Sequence, residues 1–271
     1  EGEASSFNYL RHLQKKYNTQ LSAFEKDVPW KAGDMLIQND LANTLIRIRD
    51  KGAAGFYEGE TARLIAEEMK RGGGIITEND LKNYKAIFRQ PHVFKYKGYT
   101  IVGMPMPSSG GLLLHQMMKM IEDRNIAAMG FESIQAVQLM TEVERRAFAD
   151  RAEYMGDDDF YKVPVDMLTN DVYLQERMKS YDPTKATPSS VIKPGKLSGV
   201  ESDQTTHFDV IDKDGNAVSV TTTLNDLYGS KIVVGSGGFF MNDEMDDFSI
   251  KPGVPNMFGA VGGEANAIVA G

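Results

Sequence analysis

The hydrophobic period of this chain changes late, and that change limits the folds open to it. From about Asp34 to Glu153 apolar residues mostly recur at the three-to-four-residue spacing of amphipathic helices, interrupted by a single hairpin pattern. From about Thr205 they alternate, as in half-buried strands. Between the two lies Asp182 to Gln204, "DPTKATPSSVIKPGKLSGVESDQ", with three prolines and no helical stripe. Helices first, an irregular passage, then antiparallel strands predict an α+β domain.

The helical part is punctuated in the expected way. "NDLANTLIRIRDKG" aligns Leu41, Leu45 and Ile48 and ends on a glycine stop, and "EGETARLIAEEMKRGGG" repeats the device. Thr77 stands as a cap ahead of the acidic first turn of "TENDLKNYK". "QPHVFKYKGYTIVGMP" switches to period two around Lys97-Gly98, predicting a hairpin. Two more helices are expected over residues 112–124 and 133–155, the second with Ile134, Val137, Met140, Val143 and Ala147 on its apolar stripe. Past the irregular passage, Phe208 and Val210 face Val218 and Val220 across "KDGN", the pattern of a second hairpin. "KIVVGSGGFFMN" reads as a glycine-interrupted strand pair, followed by loops to Gly271.

Composition removes several classes of function. The 271 residues, 41% of them hydrophobic, suffice for one large domain or two modest ones. With 38 acidic against 30 basic residues and a net charge of -8, the chain does not carry the footprint of a nucleic-acid binder. The absence of cysteine excludes thiol catalysis, disulfides and thiolate metal sites. No apolar stretch reaches the roughly 18 residues of a membrane span; "GGLLLHQMMKMI" is broken by His115 and Lys119. The first residues have neither signal-peptide nor transit-peptide character.

Two stretches could carry chemistry. In "DQTTHFDV", Thr205 carries a hydroxyl that is a weak nucleophile until a base activates it. Its own α-amine, with a pKa near 7.7 to 8.0, is an economical base, available once the peptide bond from Gln204 is broken. Threonine is also common at strand starts because it is β-branched, so the residues alone leave both readings open. His207 reads as a satisfied strand histidine. In "NDEMDDFS", the carboxylates of Asp243, Glu244, Asp246 and Asp247 could hold a metal, hold an ammonium group, or sit in water. Calcium-loop spacing is absent and no histidine is near. "TEVERRAFADRAE" and "MGDDDF" read as a solvated helix face and helix exit, "PSSGG" and "GSGG" as turns and tight-packing sites, and "HQMMKM" as core filler.

Taken together, "ESDQTTHFDVIDKDGNAVSVTTTLN", "MNDEMDDFSIKPGVPN" and "GGEANAI" resemble the gamma-glutamyltransferase (gamma-glutamyltranspeptidase) family of N-terminal nucleophile hydrolases. "GFYEGETARLIAEEMKRGGGIIT", "NYKAIFRQP", "MPMPSSGG" and "PSSVIKPGKL" extend the similarity from about Lys31 to Ala267. The resemblance implies an αββα sandwich, represented here in part by helices followed by antiparallel strands. It implies that residues 1–204 belong to the large-subunit region, ending in a mobile loop, and 205–271 to the small-subunit region. It implies self-cleavage between Gln204 and Thr205, with Thr205 as nucleophile and Thr223 bonded to its hydroxyl. Asn225, Glu244 and Asp247 match the positions that hold the substrate's α-ammonium, a grouping well suited to a cation.

The implied substrates are glutathione and other γ-glutamyl compounds, with water, amino acids or dipeptides as acceptors. The remainder of both subunits would be its partners, and no cofactor or metal is implied. A periplasmic or secreted location follows from the family. A cephalosporin-acylase-like hydrolase of the same fold and a non-catalytic binding or scaffold module are the alternatives. The family's carboxylate-gripping arginine, serine pair and oxyanion glycine pair lie outside the matched stretches, and Phe258 stands where many bacterial members carry a lid tyrosine. The expectation is that this chain stays joined at Gln204–Thr205 and is inactive alone.

Overall fold

In the computed structural model, residues 2–18, 20–192, 206–259 and 261–268 are described. Among them the chain runs through α1 (Gly2–Tyr17), α2 (Asn39–Lys51), α3 (Ala54–Tyr57), α4 (Gly59–Gly72) and α5 (Glu78–Asn83) before its first strands. The hairpin of β1 (His92–Tyr96) and β2 (Tyr99–Gly103) follows. Next come α6 (Gly110–Ile121), α7 (Ile126–Met129), α8 (Ile134–Tyr154), α9 (Val165–Leu168) and α10 (Asp171–Arg177). The later strands are β3 (Thr206–Ile211), β4 (Ala217–Thr222), β5 (Val233–Val234) and β6 (Phe239–Phe240). The predicted order of helices, hairpin, helices and antiparallel strands is therefore observed. Two compact units result, residues 1–87 with 202–244, and residues 88–201 with 245–271.

In the first unit, Phe7, Phe24 and Val233 form a buried cluster against Trp30 and Phe240. The Phe24 and Phe240 rings lie 4.5 Å apart. Asn18 ties α1 to the strands: its Nδ2 donates to Lys231 O at 2.9 Å and its Oδ1 accepts from Val233 N at 2.7 Å. On α2 the buried residue is Thr44, 1% exposed, whereas Leu45 of the expected stripe is 55% exposed. The Thr44 hydroxyl donates to Gly237 O at 2.8 Å, a bond no leucine could make. Thr77 caps α5 in a reciprocal box with Asp80.

β3 and β4 pair antiparallel from Thr206↔Thr222 to Ile211↔Ala217. Asp212 closes their connection, its carboxylate accepting from the N–H groups of Asp214 and Asn216 and from Asn216 Nδ2 at 2.8 to 2.9 Å.

The second unit packs β1–β2, α6, α8 and α10 around two apolar clusters, one with Leu112, Leu113, Ala147 and Leu168, the other with Met120, Leu139, Val143 and Leu174. Here the reading of α8 needs correction. Ile134, Val137 and Met140 are exposed, and the inward face is Ala136, Leu139, Glu142, Val143, Arg146, Ala147 and Asp150. The supposed solvated run thus supplies buried charge, which is paired. Arg146 Nη1 lies 2.6 Å from Glu142 Oε2 with both side chains sealed from solvent. Arg177 lies 3.1 Å from Asp150 Oδ1, and Gln116 Nε2 donates to Asp150 Oδ2 at 3.1 Å.

Burial raises the Asp150 carboxyl, with the Arg177 charge opposing it. Burial also pushes Glu142 up, but hydrogen bonds from Arg146 and Thr187 outweigh it and the net shift is downward.

His92 Nε2 and His115 Nδ1 are 2.9 Å apart, and the His115 ring stacks on Phe94 at 4.2 Å. The segment after α10 also departs from its reading as a surface loop: Thr187 and Ile192 are buried. The rest of that loop lies outside the described residues. Near the C-terminal end of α8, Gly263 N donates to Ala152 O at 3.1 Å.

Candidate active site

Gln204 and Thr205, the expected cleavage pair and nucleophile, lie outside the described residues. The described ladder begins one residue later, with Thr206 opposite Thr222. Thr205 and Thr223 are therefore the next residues in sequence on either side of that terminal pair.

His207 pairs with Thr221 in the ladder. Its Nδ1 shares a hydrogen bond with Thr221 Oγ1 at 2.8 Å, and its Nε2 one with Ser219 Oγ at 3.3 Å. Both ring nitrogens are engaged within the hairpin, as a satisfied strand histidine requires. A bond from the Ser219 hydroxyl, together with the His207 ring, holds the Asp209 carboxyl below its usual range.

Beyond β4 the chain turns sharply. Thr223 Oγ1 accepts the Asn225 N–H at 3.0 Å, and Asn225 is 4% exposed in the left-handed region at φ 75°. Asparagine tolerates that conformation better than most residues. Its Nδ2 donates to Asp243 O at 3.1 Å, which makes the amide oxygen the accepting end of the group. Asp243 N donates to Leu224 O at 3.1 Å, and Asp243 Oδ1 accepts from Asp226 N at 3.0 Å.

The two segments, 223–231 and 241–244, thus lie backbone to backbone. Tyr228 and Lys231 are also left-handed, at φ 62° and 64°, and Asp226 is ion-paired with Lys231. Gly229 belongs to the same tight turn, at φ 55°, and a Cβ there would lie 2.2 Å from Met241 O. Strain of this kind persists only where its surroundings over-determine it.

Glu244 stands at the end of this pair of segments, its N–H donating to Asn242 Oδ1 at 3.1 Å. The structure thus brings Thr223, Asn225 and Glu244 together in the first unit. Glu244 and Asp247 open and close one turn of 3₁₀ helix, and Asp247 belongs to the second unit. There Asp247 O accepts from Asn266 Nδ2 at 2.7 Å.

Residue types alone leave the four carboxylates of "NDEMDDFS" alike, and the family resemblance singles out Glu244 and Asp247. Asp243 and Asp246 turn out to hold backbone. Asp246 Oδ2 accepts from Met257 N at 3.2 Å and Asp246 O from Asn256 Nδ2 at 3.1 Å, which fastens the turn bearing Phe258. Among the described residues, no group of three or more His, Asp or Glu side chains is arranged to hold a metal ion.

A family model described as Gamma-glutamyltranspeptidase matches residues 4–271. The chain is 49% identical over 256 residues to a glutathione hydrolase proenzyme of Escherichia coli strain K12, covering 94% of this chain and 44% of that protein. It is also 49% identical over 267 residues to a glutathione hydrolase proenzyme of Pseudomonas aeruginosa, covering 98% and 47%. The chain thus spans about half the length of the curated relatives it matches.

Among solved structures it is similar to a gamma-glutamyltranspeptidase of Helicobacter pylori, with TM-score 0.67, 40% identity, and 74% and 58% of the two chains covered. A cephalosporin acylase of Bacillus halodurans aligns at TM-score 0.75 and 22% identity over 98% of this chain and 48% of that one, a likeness of fold alone. The α+β, N-terminal nucleophile hydrolase architecture is the one these structures share.

Proposed function

Because the chain belongs to the gamma-glutamyltranspeptidase family, we propose that the full-length protein is a glutathione hydrolase and γ-glutamyl transferase that matures by cutting itself before Thr205. The observation that carries this reading is local. The terminal pair Thr206↔Thr222 leads on one side to Thr205 and on the other to Thr223, Asn225 and the Asp243-tethered Glu244.

In maturation the Thr205 hydroxyl oxygen attacks the Gln204 carbonyl carbon, and the carbon–nitrogen bond breaks. Nitrogen keeps the hydroxyl proton and an ester forms. Water then hydrolyses the ester, leaving a Gln204 carboxylate and a Thr205 bearing a free α-amine and its hydroxyl. That amine is the base for turnover.

In turnover the same oxygen takes the γ-glutamyl group from an amide, whose nitrogen leaves with a proton, and water or an amine acceptor removes it. Thr223 orients the nucleophile. Asn225, Glu244 and Asp247 hold the substrate's α-ammonium, and the two carboxylates favour its charged form. Amino acids and dipeptides are the proposed acceptors, and the periplasm or exterior the proposed location. A cut after Gln204 would divide the chain into pieces 1–204 and 205–271, each contributing to both compact units.

The test is full-length protein, unaltered and Thr205→Ala, with a γ-glutamyl anilide and a denaturing mass measurement. Two pieces and turnover are expected only from the unaltered protein; equal activity in both would sink the assignment. An acylase-like substrate has no α-ammonium, so glutaryl-amide hydrolysis indifferent to Asp247→Asn would favour that second reading.

A further inference from the structure

Residues 247–249 are paired to residues 266–268 by a ladder one bridge long. Ser249 and Ala267 form a parallel bridge, in which Ser249 N donates to Asn266 O at 2.7 Å and Ile268 N donates to Ser249 O at 3.3 Å. Bonds in a parallel ladder are evenly spaced, so its next acceptor is Asp247 O and the matching donor would be the Asn266 N–H. That N–H is engaged elsewhere. It turns back to Gly263 O at 3.3 Å within the 3₁₀ turn Glu264–Asn266. The side chain of the same residue takes over, with Asn266 Nδ2 donating to Asp247 O at 2.7 Å. An amide thus continues the ladder past the point where the backbone leaves it.

The donor is itself held in place. Gly263 N bonds Ala152 O on α8, and Ala265 is 7% exposed. Gly156 comes so near that a Cβ there would lie 2.0 Å from Ala265 O. Ser249, 6% exposed, approaches Gly262 just as closely, where a Cβ would meet its Oγ at 2.0 Å. All of these residues belong to the second unit. Asp246 is fastened separately, by Asn256 and the Met257 N–H, so the two neighbouring residues have different anchors. The Asn266–Asp247 bond lies at the surface. Water can replace its donor there at little cost to folding, but water cannot hold the carbonyl in one position.

We propose that Asn266 is a positioning residue for substrate binding: through Asp247 O it fixes the backbone of the residue whose carboxylate receives the α-ammonium. The inference rests on the functional reading above. Asn266 acts on Asp247 and not on substrate, so its removal should weaken binding of the ammonium without slowing the chemical step, and should matter little once the Asp247 carboxylate is gone.

The experiment uses full-length protein: unaltered, Asn266→Leu, Asp247→Asn, the two combined, and Glu264→Gln as an exposed control in the same turn. The matured fraction of each is measured by mass, and kcat and KM are read with a γ-glutamyl anilide. Loss of one neutral hydrogen bond at Asn266→Leu should raise KM about threefold to tenfold and leave kcat within about twofold. In the Asp247→Asn background the same change should raise KM by less than about twofold, the non-additivity of residues acting as a unit. Glu264→Gln should keep the unaltered KM.

An unmoved KM in Asn266→Leu beside a raised one in Asp247→Asn would overturn the inference. So would effects that simply multiply in the double variant, or a fall in kcat at constant KM, which marks general damage. Should Asn266→Leu fail to fold, Asn266→Ser and hydrogen exchange of matured unaltered protein decide. The Ser249 N–H, which closes on Asn266 O, should exchange more slowly with saturating L-glutamate, and an unchanged rate would refute the positioning. If Asp247→Asn itself leaves KM where it was, the ammonium reading fails and takes this inference with it, a result distinct from a silent Asn266→Leu.

Discussion

Acidification should act on the second unit through the His92–His115 pair before it acts on most carboxylates. The His115 ring is half-buried, stacked on Phe94 and bonded to His92, and its pKa is pushed down to about 4. Burial is the largest cause; His92 and Lys119 add to it, while Asp171 and Glu122 oppose it. The unfolded chain therefore takes up the proton near pH 6.5 and the folded chain only near pH 4. The stabilising contribution is full above the unfolded value and is lost as pH falls through that window.

Taken at face value, linkage gives a loss of about 1.8 kcal/mol between pH 7 and pH 5; the ring's partial exposure reduces this to about 1 kcal/mol. For domains of this size that is roughly 2 to 4 °C in Tm. The assay is thermal melting at pH 7, 6 and 5 for unaltered protein and His115→Gln, and the quantity to read is the difference between their pH slopes. The glutamine variant should be less stable at pH 7 and lose about 1 kcal/mol less on going to pH 5. Parallel slopes would refute the reasoning, because every other titrating group is common to both proteins.

Three further outcomes follow from the geometry. Gly229→Ala places a Cβ 2.2 Å from Met241 O in a left-handed residue, so segment 241–244 must shift; a stability loss above about 2 kcal/mol by denaturant titration and a raised KM for γ-glutamyl anilide are expected. Asp247→Asn in full-length protein should raise that KM roughly tenfold to a hundredfold, the worth of about 1.5 to 3 kcal/mol for a hydrogen bond to a charged group, with kcat much less affected. Thr77→Ala removes the cap on α5, whose oxygen accepts from Asp80 N at 3.3 Å, and should cost about 1 kcal/mol in melting experiments.

Where local chemistry decides structure, the sequence was readable. The turn at Lys97-Gly98, the cap at Thr77, the glycine-broken pair β5–β6 and the register around "KDGN" all lie where turn and cap residues placed them. Helix α8 was legible in extent but not in phase. A hydrophobic stripe can be read only if the core face is apolar, and here Glu142, Arg146 and Asp150 occupy it while Ile134, Val137 and Met140 face outward. Thr44 escaped for the same reason, since its burial depends on a carbonyl at Gly237, far along the chain.

At the candidate site the residue types of "NDEMDDFS" were visible. That the carboxylates of Asp243 and Asp246 hold backbone depends on turns that only the folded chain displays, whereas Glu244 and Asp247 were singled out by family likeness. Thr205 is singled out only by its position before an alternating run and by family likeness, and it lies outside the described residues.

The carboxylate of Asp212 gathers three N–H donors inside a five-residue connection, and this fixes how many residues that connection can contain. Adding a single residue there would leave composition and topology nearly intact. It would offset β4 against β3 by one position, sending Thr221 and Thr223 to the opposite side of the ribbon. Natural length variation should therefore be tolerated poorly at this tip, however exposed it is, and the cost would be read in chemistry before it was read in folding.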